Sequence, residues 1–290
     1  MTAVVFGAFA GVLFGAMAVA VRHGLGRYPD AQAGALVVAG LAAAITIPPG
    51  VAWGVAGSPS LGSLWPFALA GALVPGCSQI LFIIAVRDAG PSRAAILIGT
   101  APLMSVAIAL VVLGEPFRLL LVLGTILVVT GGVVLARERR RPAHFRRLGV
   151  IVALLCALLF AVRDNMVRWA ARGVHVPALT ASAVSLTAAT AVIAVYLLAR
   201  RGDALGPRLR QAVPAFAPAG LTLALGYATL FLALGHGRVS VVAPLNATQS
   251  IWAPVCAAIV LGRAADVIGR RLMVSALLVV AGAALIGVVR

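Results

Sequence analysis

Long stretches without a charged residue run through the whole chain and restrict it to a fold that spans a membrane. Of the 290 residues, 62% are hydrophobic and only 10% are charged, and the mean hydropathy is +1.11. Several uncharged stretches reach about 20 residues, the length of an α-helix that crosses a bilayer. Only helices and closed barrels satisfy their backbone in lipid, and these stretches lack the alternation of barrel strands. The sequence therefore predicts an all-α polytopic membrane protein.

Turn-forming residues divide the apolar sequence into ten predicted spans. Proline, glycine and aspartate mark the boundaries, for example at Tyr28-Pro29-Asp30, Gly57-Ser58-Pro59 and Gly206-Pro207. The predicted spans are residues 2–21, 32–56, 64–86, 92–113, 118–136, 149–171, 177–199, 213–235, 239–261 and 272–289. A basic connecting loop, residues 137–148, separates the first five spans from the last five.

An internal repeat relates the two halves. Residues 87–114 align with residues 235–262 at an offset of 148. The identical pairs are Ser92/Ser240, Ala95/Ala243, Leu97/Leu245, Thr100/Thr248, Ala109/Ala257, Leu113/Leu261 and Gly114/Gly262. We therefore predict two five-helix repeats, residues 1–136 and 149–290. Because five is an odd number of crossings, the second repeat is inverted relative to the first.

Glycines and one acidic residue at fixed places in these repeats carry a resemblance to a known family. They are Gly114-Glu115, Gly124 and Gly131-Gly132 in the first repeat, and Leu261-Gly262 and Gly282 in the second. In these features the chain resembles the EamA-type transporters of the drug/metabolite transporter superfamily, which implies ten helices and transport of a small molecule. The second repeat departs from the family at Arg263, where the family usually has glutamate. For Glu115 we expect a structural role near a helix N-terminus, where a carboxylate is favourable.

The arginines concentrate on one side of the predicted bundle. All 23 basic residues are arginine, and 17 of them lie in the connections that follow spans 1, 3, 5, 7 and 9. The other side, which we term the arginine-poor face, has five: Arg118, Arg168, Arg172, Arg238 and Arg290. The positive-inside rule then places both termini outside the plasma (inner) membrane, whereas the family resemblance places them inside. We follow the charge bias.

Polar residues in the ninth span are the first candidates for contact with a substrate. Asn246, Gln249 and Ser250 stand at i, i+3 and i+4, so they share one face of a continuous helix. Trp252 lies on a neighbouring face. Polar groups inside a membrane usually face the bundle interior, where transporters bind their substrates. The alternative role for these side chains is hydrogen bonding between helices.

The sixth span carries two charged residues, Arg163 and Asp164. Because they are adjacent, they point about 100° apart on a helix and need not pair with each other. Arg163 could attract an anionic group of a substrate. Asp164 is the only carboxylate inside a predicted span, which makes it the candidate for proton coupling. The alternative role for Asp164 is a structural ion pair with an arginine.

Aromatic and other residues in four more spans complete the candidate set. They are Phe14, Met17, Ser78, Gln79, Phe82, Phe160, Tyr227 and Phe231. Aromatic side chains can line an apolar substrate pocket. The alternative role for these residues is packing in the protein core. In the repeat alignment Met17 faces Arg163, so we expect the second repeat to form the polar side of the cavity.

No pattern in the chain indicates catalysis. It has no HExxH, GxSxG or Walker motif and no ATP-binding domain, so we expect no enzyme activity, cofactor or metal. The sequence instead favours secondary transport, specifically export of a small metabolite or drug-like molecule. Alternating access would come from rocking the two halves about a midplane site. The expected partners are this solute and the lipid bilayer, without nucleic acid, and a monomer would suffice.

Two other readings of the sequence stay open. The protein could flip a lipid-linked sugar or a polyprenyl phosphate, because anionic headgroups suit Arg163 and the basic faces. It could also be a scaffold, a sensor or a membrane-embedded enzyme without transport activity. A water-accessible central cavity lined by Asn246, Gln249 and Tyr227 would favour transport, whereas a solid bundle would favour the scaffold.

The charge bias predicts the side of the membrane on which the chain ends. Alkaline phosphatase fused after Arg290 should be active, and a green fluorescent protein at the same place should be dark, because both termini are expected outside. Fusions after Arg147 should give the reverse pattern and serve as the control. Fluorescence of the fusion after Arg290 would contradict this orientation.

Overall fold

The computed structural model describes residues 2–57, 59–89, 97–136, 147–173, 175–201, 205–261 and 270–288. These residues form helices and their connections, without a strand among them. Several positions named above lie outside the described residues: Ser92, Ala95, Gly262, Arg263 and the connecting loop at 137–146.

Within the described residues, the first repeat contributes these α-helices to its five spans. They are α1 (Thr2–Arg27), α2 (Ala31–Gly57), α3 (Trp65–Gly71), α4 (Ser78–Ala89), α5 (Ala101–Val111) and α6 (Leu119–Ala136). A π-helical segment, Ala72–Cys77, joins α3 to α4 within the third span.

The described part of the second repeat contains the remaining α-helices. They are α7 (Arg147–Gly173), α8 (Ala178–Arg201), α9 (Leu205–His236), α10 (Val239–Asn246), α11 (Gln249–Leu261) and α12 (Arg270–Val288). Among the described residues, α1, α2, α7, α8 and α9 are each long and apolar enough to cross a bilayer alone. Shorter apolar helices make up the other spans of the ten-span bundle.

The eighth span begins earlier than the sequence predicts. The helix starts at Leu205, and the expected turn at Gly206-Pro207 lies inside its first turn, so that prediction is wrong. The first N–H groups of a helix have no partner within it, so proline at this position removes no hydrogen bond and its φ angle suits the helix.

The fourth and ninth spans are interrupted at equivalent positions, and the prediction of continuous helices there is wrong. A turn at Gly99-Thr100 precedes α5, and a turn at Ala247-Thr248 separates α10 from α11. Thr100 Oγ1 donates to Leu97 O at 2.6 Å, and Thr248 Oγ1 donates to Leu245 O at 2.7 Å. These are the leucine and threonine pairs that the repeat alignment identifies. The sequence identity therefore corresponds to a shared local structure, a hydroxyl that satisfies a carbonyl at a helix break.

The two repeats are interleaved. In the described residues, α1 packs against α9, α10 and α11, which we term the first bundle. Its repeat equivalent, α7, packs against α3, α4 and α5, which form the second bundle. The remaining equivalent helices pair directly, α2 with α8 and α6 with α12. The expectation that the sequence halves rock as separate bodies does not fit this packing, because every helix pair named here joins one half to the other.

Small residues along α1 allow this close packing. Gly7, Gly11 and Gly15 recur every four residues, and a Cβ atom at Gly11 would lie 2.5 Å from Thr248 Oγ1. Their equivalents in α7, at the offset that aligns Phe14 with Phe160, are three fully buried alanines: Ala153, Ala157 and Ala161. Repeats of small residues let helix backbones approach in membranes, so each bundle is organised around one such stripe.

The α6–α12 pair uses glycine in the same way. A Cβ atom at Gly282 would lie 2.5 Å from Gly124 O, so the two backbones touch at this crossing. Ser275 Oγ donates to Gly131 O at 2.7 Å and adds an interhelical hydrogen bond. These glycines are among the residues that carry the family resemblance.

The contact at Gly11 predicts a specific loss of stability. In Gly11→Ala the added methyl group must displace the Thr248 hydroxyl or the Leu245 carbonyl, at a cost of about 1–3 kcal/mol. We expect a lower thermal unfolding midpoint in detergent. Gly26→Ala, on the same helix with nothing near the new Cβ, is the matched control and should be neutral or stabilising. Equal midpoints for the two variants would contradict the proposed packing.

Candidate functional site

Arg163 and Asp164 form a buried ion pair near the middle of α7. Arg163 Nε lies 2.7 Å from Asp164 Oδ1, and the two side chains are 2% and 7% exposed. The structure thus pairs Asp164 with an arginine, the structural role named for it above, and the arginine is its own neighbour. The flexible arginine side chain turns back toward its neighbour because, away from water, an unpaired charge is far more costly than the bend.

Aromatic rings from both bundles enclose the Arg163 guanidinium. Its central carbon lies 5.6 Å from the ring centre of Phe160 and 5.5 Å from that of Tyr227. The Phe14 ring meets Tyr227 edge to face at 6.0 Å. Cation–π contacts of this kind strengthen when the cation is desolvated. Three predicted candidates, Phe14, Phe160 and Tyr227, are thus brought together around Arg163.

The break in the third span is tied to the same cluster. Val74 has extended backbone angles, φ −141° and ψ 117°, which interrupt the helical ladder. Its carbonyl oxygen accepts a hydrogen bond of 2.7 Å from the Tyr227 hydroxyl. Tyr227 therefore supplies the hydrogen bond that the interrupted helix lacks, and it links the third span to the eighth.

Several polar atoms of this cluster have no hydrogen-bond partner in the described part of the chain. One of them is Arg163 Nη1. Arg163 Nε and Asp164 Oδ1 are close together, but their angles do not meet the geometry of a hydrogen bond. Buried polar groups are nearly always satisfied, so each exception calls for an explanation. A donor at Arg163 that is available to an added acceptor is one such explanation.

Asn165 and Ser105 adjoin the pair and were not among the predicted site residues. Asn165 Nδ2 donates to Ser105 O at 3.0 Å and to Ala161 O at 2.9 Å, which joins α7 to α5. Its Oδ1 is buried and without a partner in the described residues. The position of Asn165 directly after two charged residues inside a span was the available signal.

Phe231 extends the aromatic cluster away from Arg163. Its ring stacks on Tyr227 at 5.7 Å and lies 6.4 Å from the ring of Phe67. The result is a continuous row of rings, Phe67, Phe231, Tyr227 and Phe14, across both bundles.

The other candidates of the first repeat are less central. Ser78 is buried, and its carbonyl accepts a weak hydrogen bond from Cys156 Sγ at 3.7 Å. Met17 is partly buried against the core, and Gln79 is also partly buried. Phe82 is exposed on the bundle surface.

The candidates of the ninth span do not share a helical face. The turn at Ala247-Thr248 places Asn246 at the end of α10 and Gln249 at the start of α11, so the argument from i, i+3 and i+4 spacing is wrong. Asn246 Oδ1 is buried without a partner in the described residues. A Cβ atom at Gly15 would lie 2.6 Å from Trp252 Cβ, so this part of the span packs on α1. The side chain of Ser250 lies outside the described set.

Glu115 holds the two bundles together at the arginine-poor face. Its carboxylate accepts hydrogen bonds from Val239 N at 3.0 Å, from Ser240 N at 3.1 Å and from Ser240 Oγ at 2.5 Å. It therefore caps the N-terminus of α10, in the other repeat, and the positive end of that helix stabilises its charge. Gly114, at φ +62°, provides the left-handed turn that directs Glu115 across the interface.

Two arginines of α7 reinforce this contact. Arg172 lies 3.5 Å from Glu115 Oε1 and donates to Leu113 O at 3.0 Å. Arg168 donates to the last carbonyls of α9, Leu234 O at 2.9 Å and Gly235 O at 3.0 Å. Cations satisfy helix C-terminal carbonyls well, so these arginines serve the joint between α5, α7 and α9.

A cavity of about 240 Å³ opens beside this joint. Phe67, Val167 and Phe231 line it, and His175 and His236 are also in its wall. Of the candidate residues only Phe231 lines this cavity, which is not the central cavity expected at Asn246, Gln249 and Tyr227.

The architecture agrees with what comparison with known proteins shows. Residues 1–137 and 147–288 each match the EamA-like transporter family. The chain belongs to this family. It is thus a multi-pass integral membrane protein and a transporter of the drug/metabolite type, as the resemblance in its sequence implied. A comparison with curated proteins found no match.

Solved structures share the fold of this EamA-like protein. One of them, described only as the crystal structure of a protein, superposes with a TM-score of 0.78 at 22% identity. The match covers 99% of this chain and 97% of the other. At this identity the likeness establishes the fold alone.

The contacts of Glu115 predict how far the joint depends on it. In Glu115→Gln, an amide NH₂ faces donors and the charge at the helix N-terminus is lost, which we expect to cost about 1–3 kcal/mol of unfolding free energy. Arg118→Gln, an exposed change in the same connection, is the control and should be neutral. The measurement is the thermal unfolding midpoint in detergent, and a Glu115→Gln midpoint equal to that of the control would refute the role as a cap.

Proposed function

We propose that this EamA-like protein is a secondary transporter that exports a small metabolite or drug-like solute by alternating access, with its binding site at the Arg163–Asp164 pair. The observation that supports this most directly is the buried Arg163, whose Nη1 has no hydrogen-bond partner in the described residues. A solute acceptor group would complete its hydrogen bonds, and the rings of Phe160 and Tyr227 would contact an apolar part of the solute.

The moving bodies in this proposal are the two bundles. Arg163 and Phe160 belong to the second bundle, whereas Tyr227 and Phe14 belong to the first, so the cluster lies where the bundles meet. The helix breaks at Val74, Thr100 and Thr248 fall in the same two bundles. Transporters commonly place binding sites beside such discontinuous helices. We propose that the bundles separate alternately on the two sides, while the α2–α8 and α6–α12 pairs connect them.

Asp164 is the proposed coupling group. Its ionised carboxylate can accept a hydrogen bond from the solute, and a proton on the carboxylate competes with that solute, so proton entry and solute exit run in opposite directions. Facilitated diffusion without a proton is the other energetic possibility, and a pH gradient across the membrane distinguishes the two. With the charge bias as guide, we place the arginine-poor face outside the plasma (inner) membrane.

Transport by purified protein in liposomes tests this proposal. The decisive variant is Arg163→Gln with Asp164→Asn, which removes both charges together and strands neither. We expect uptake of a transported solute to fall by a factor of about 10–100, the value of a lost charge-assisted hydrogen bond. Arg163→Lys should retain part of the activity, because it keeps the charge without the planar fork.

The variant Asn246→Ala with Gln249→Ala separates this site from the ninth-span site. A large loss of uptake in that variant would place the binding site in the ninth span, if the charge-neutral variant, Arg163→Gln with Asp164→Asn, shows normal uptake. Lipid scrambling without solute uptake would favour the flippase, and neither activity would favour the scaffold or sensor.

A further inference from the structure

The cavity at the arginine-poor face, which we term the vestibule, lies between the two bundles. Phe67 and Val167 line it from the second bundle, and Phe231 and His236 line it from the first. The connection from α7 to α8 closes another side with Val176. Because its walls come from both bundles, its shape must change when the bundles move.

The wall of the vestibule is largely apolar. The rings of Phe67 and Phe231 have centres 6.4 Å apart, are inclined at 45° to each other and are both nearly fully buried. Val167 and Ala181 are also nearly fully buried and add aliphatic surface. Such walls fit a hydrocarbon body better than a polar one.

The surroundings of the vestibule are cationic. Arg168, which binds the end of α9 beside His236 and Gly235, lies in electrostatic range of Arg172, Arg238 and Glu115. Glu115 is the only one of the seven acidic residues that falls in the connections of this face, and its carboxylate is buried and already bonded to α10. The net field at the vestibule is therefore positive, and it attracts anions.

The vestibule also adjoins the proposed transport site. Phe231, in its floor, stacks on Tyr227, and Tyr227 contacts the Arg163 guanidinium. Only the Tyr227 ring therefore lies between Phe231, in the cavity wall, and the buried Arg163–Asp164 pair. A solute in the vestibule would lie on the path to Arg163.

We infer that the vestibule is a binding site for organic anions with an apolar body, on the route to Arg163. The apolar body lies against Phe67 and Phe231. The anionic group lies toward His175, His236 and the positive field of Arg168, which bonds the Gly235 carbonyl beside the cavity. This inference rests on the proposed function and gives it a substrate class. Neutral solutes of the same shape gain the apolar contacts without the electrostatic attraction.

Equilibrium dialysis of the protein in lipid nanodiscs tests the inference with two probes of matched shape, 2-naphthoate and 2-naphthamide. The wild type should bind 2-naphthoate at least about tenfold more tightly, and higher ionic strength should reduce the difference. Ala178→Phe fills the vestibule and should abolish the binding of 2-naphthoate. Val176→Trp fills it from the connecting loop, so the test does not depend on the folding of a single variant. Ala44→Phe, an exposed position on α2, is the matched control and should bind like the wild type.

Equal affinities for the two probes in the wild type, or 2-naphthoate binding that survives both filling variants, would overturn the inference. The charge-neutral variant, Arg163→Gln with Asp164→Asn, separates it from the proposed function. That variant should still bind 2-naphthoate while it loses transport. Solute uptake by a wild type that does not bind 2-naphthoate would remove the vestibule inference alone, whereas binding without uptake of any solute would remove the transport proposal alone.

Discussion

Lipid offers no hydrogen bonds to a peptide group, and this constraint determines how the chain can interrupt its helices. At the breaks described above a side chain donates to a backbone carbonyl. Thr100 and Thr248 do so within their own spans, and Tyr227 does so across the interface at Val74. At Val74 and Thr248 the irregular backbone is buried in the bundle interior, where polar side chains reach it. A polar centre around Arg163 can exist in the membrane because the same interior shields it from lipid.

The two repeats share the break of the fourth and ninth spans, whereas the break at Val74 has no counterpart in α9. Glu115 caps the N-terminus of α10 and binds Arg172, so the arginine-poor face is held by charge and hydrogen bonds together. In the sequence the equivalent of Glu115 is Arg263, a cation that cannot accept the hydrogen bonds that Glu115 accepts. The contact that Glu115 makes is therefore not encoded at the corresponding position of the second repeat.

The sequence predicted the ten spans and the repeat because hydropathy and length act locally. It missed the breaks, because threonine and proline are both tolerated in a membrane helix, so Thr248, four residues after Pro244, does not mark one. The sequence allowed an ion pair of Asp164 with an arginine. It did not identify Arg163 as the partner, because helix geometry alone points adjacent side chains about 100° apart. The partner of Glu115 is 124 residues away, at Val239, and no local pattern encodes such a contact. The stripe of Gly7, Gly11 and Gly15, by contrast, was visible at four-residue spacing and could have indicated the closest helix crossing.

The placement of the two buried charges on consecutive residues of α7 has an electrical consequence. Any motion of this helix carries the two groups together, so the pair itself displaces a dipole and not a net charge. A single charge that crosses the membrane field exchanges about 2.3 kcal/mol for every 100 mV, and a neutral pair exchanges almost none of this. The burial of Arg163 therefore adds almost nothing to a voltage dependence of the protein, because its counter-charge travels with it.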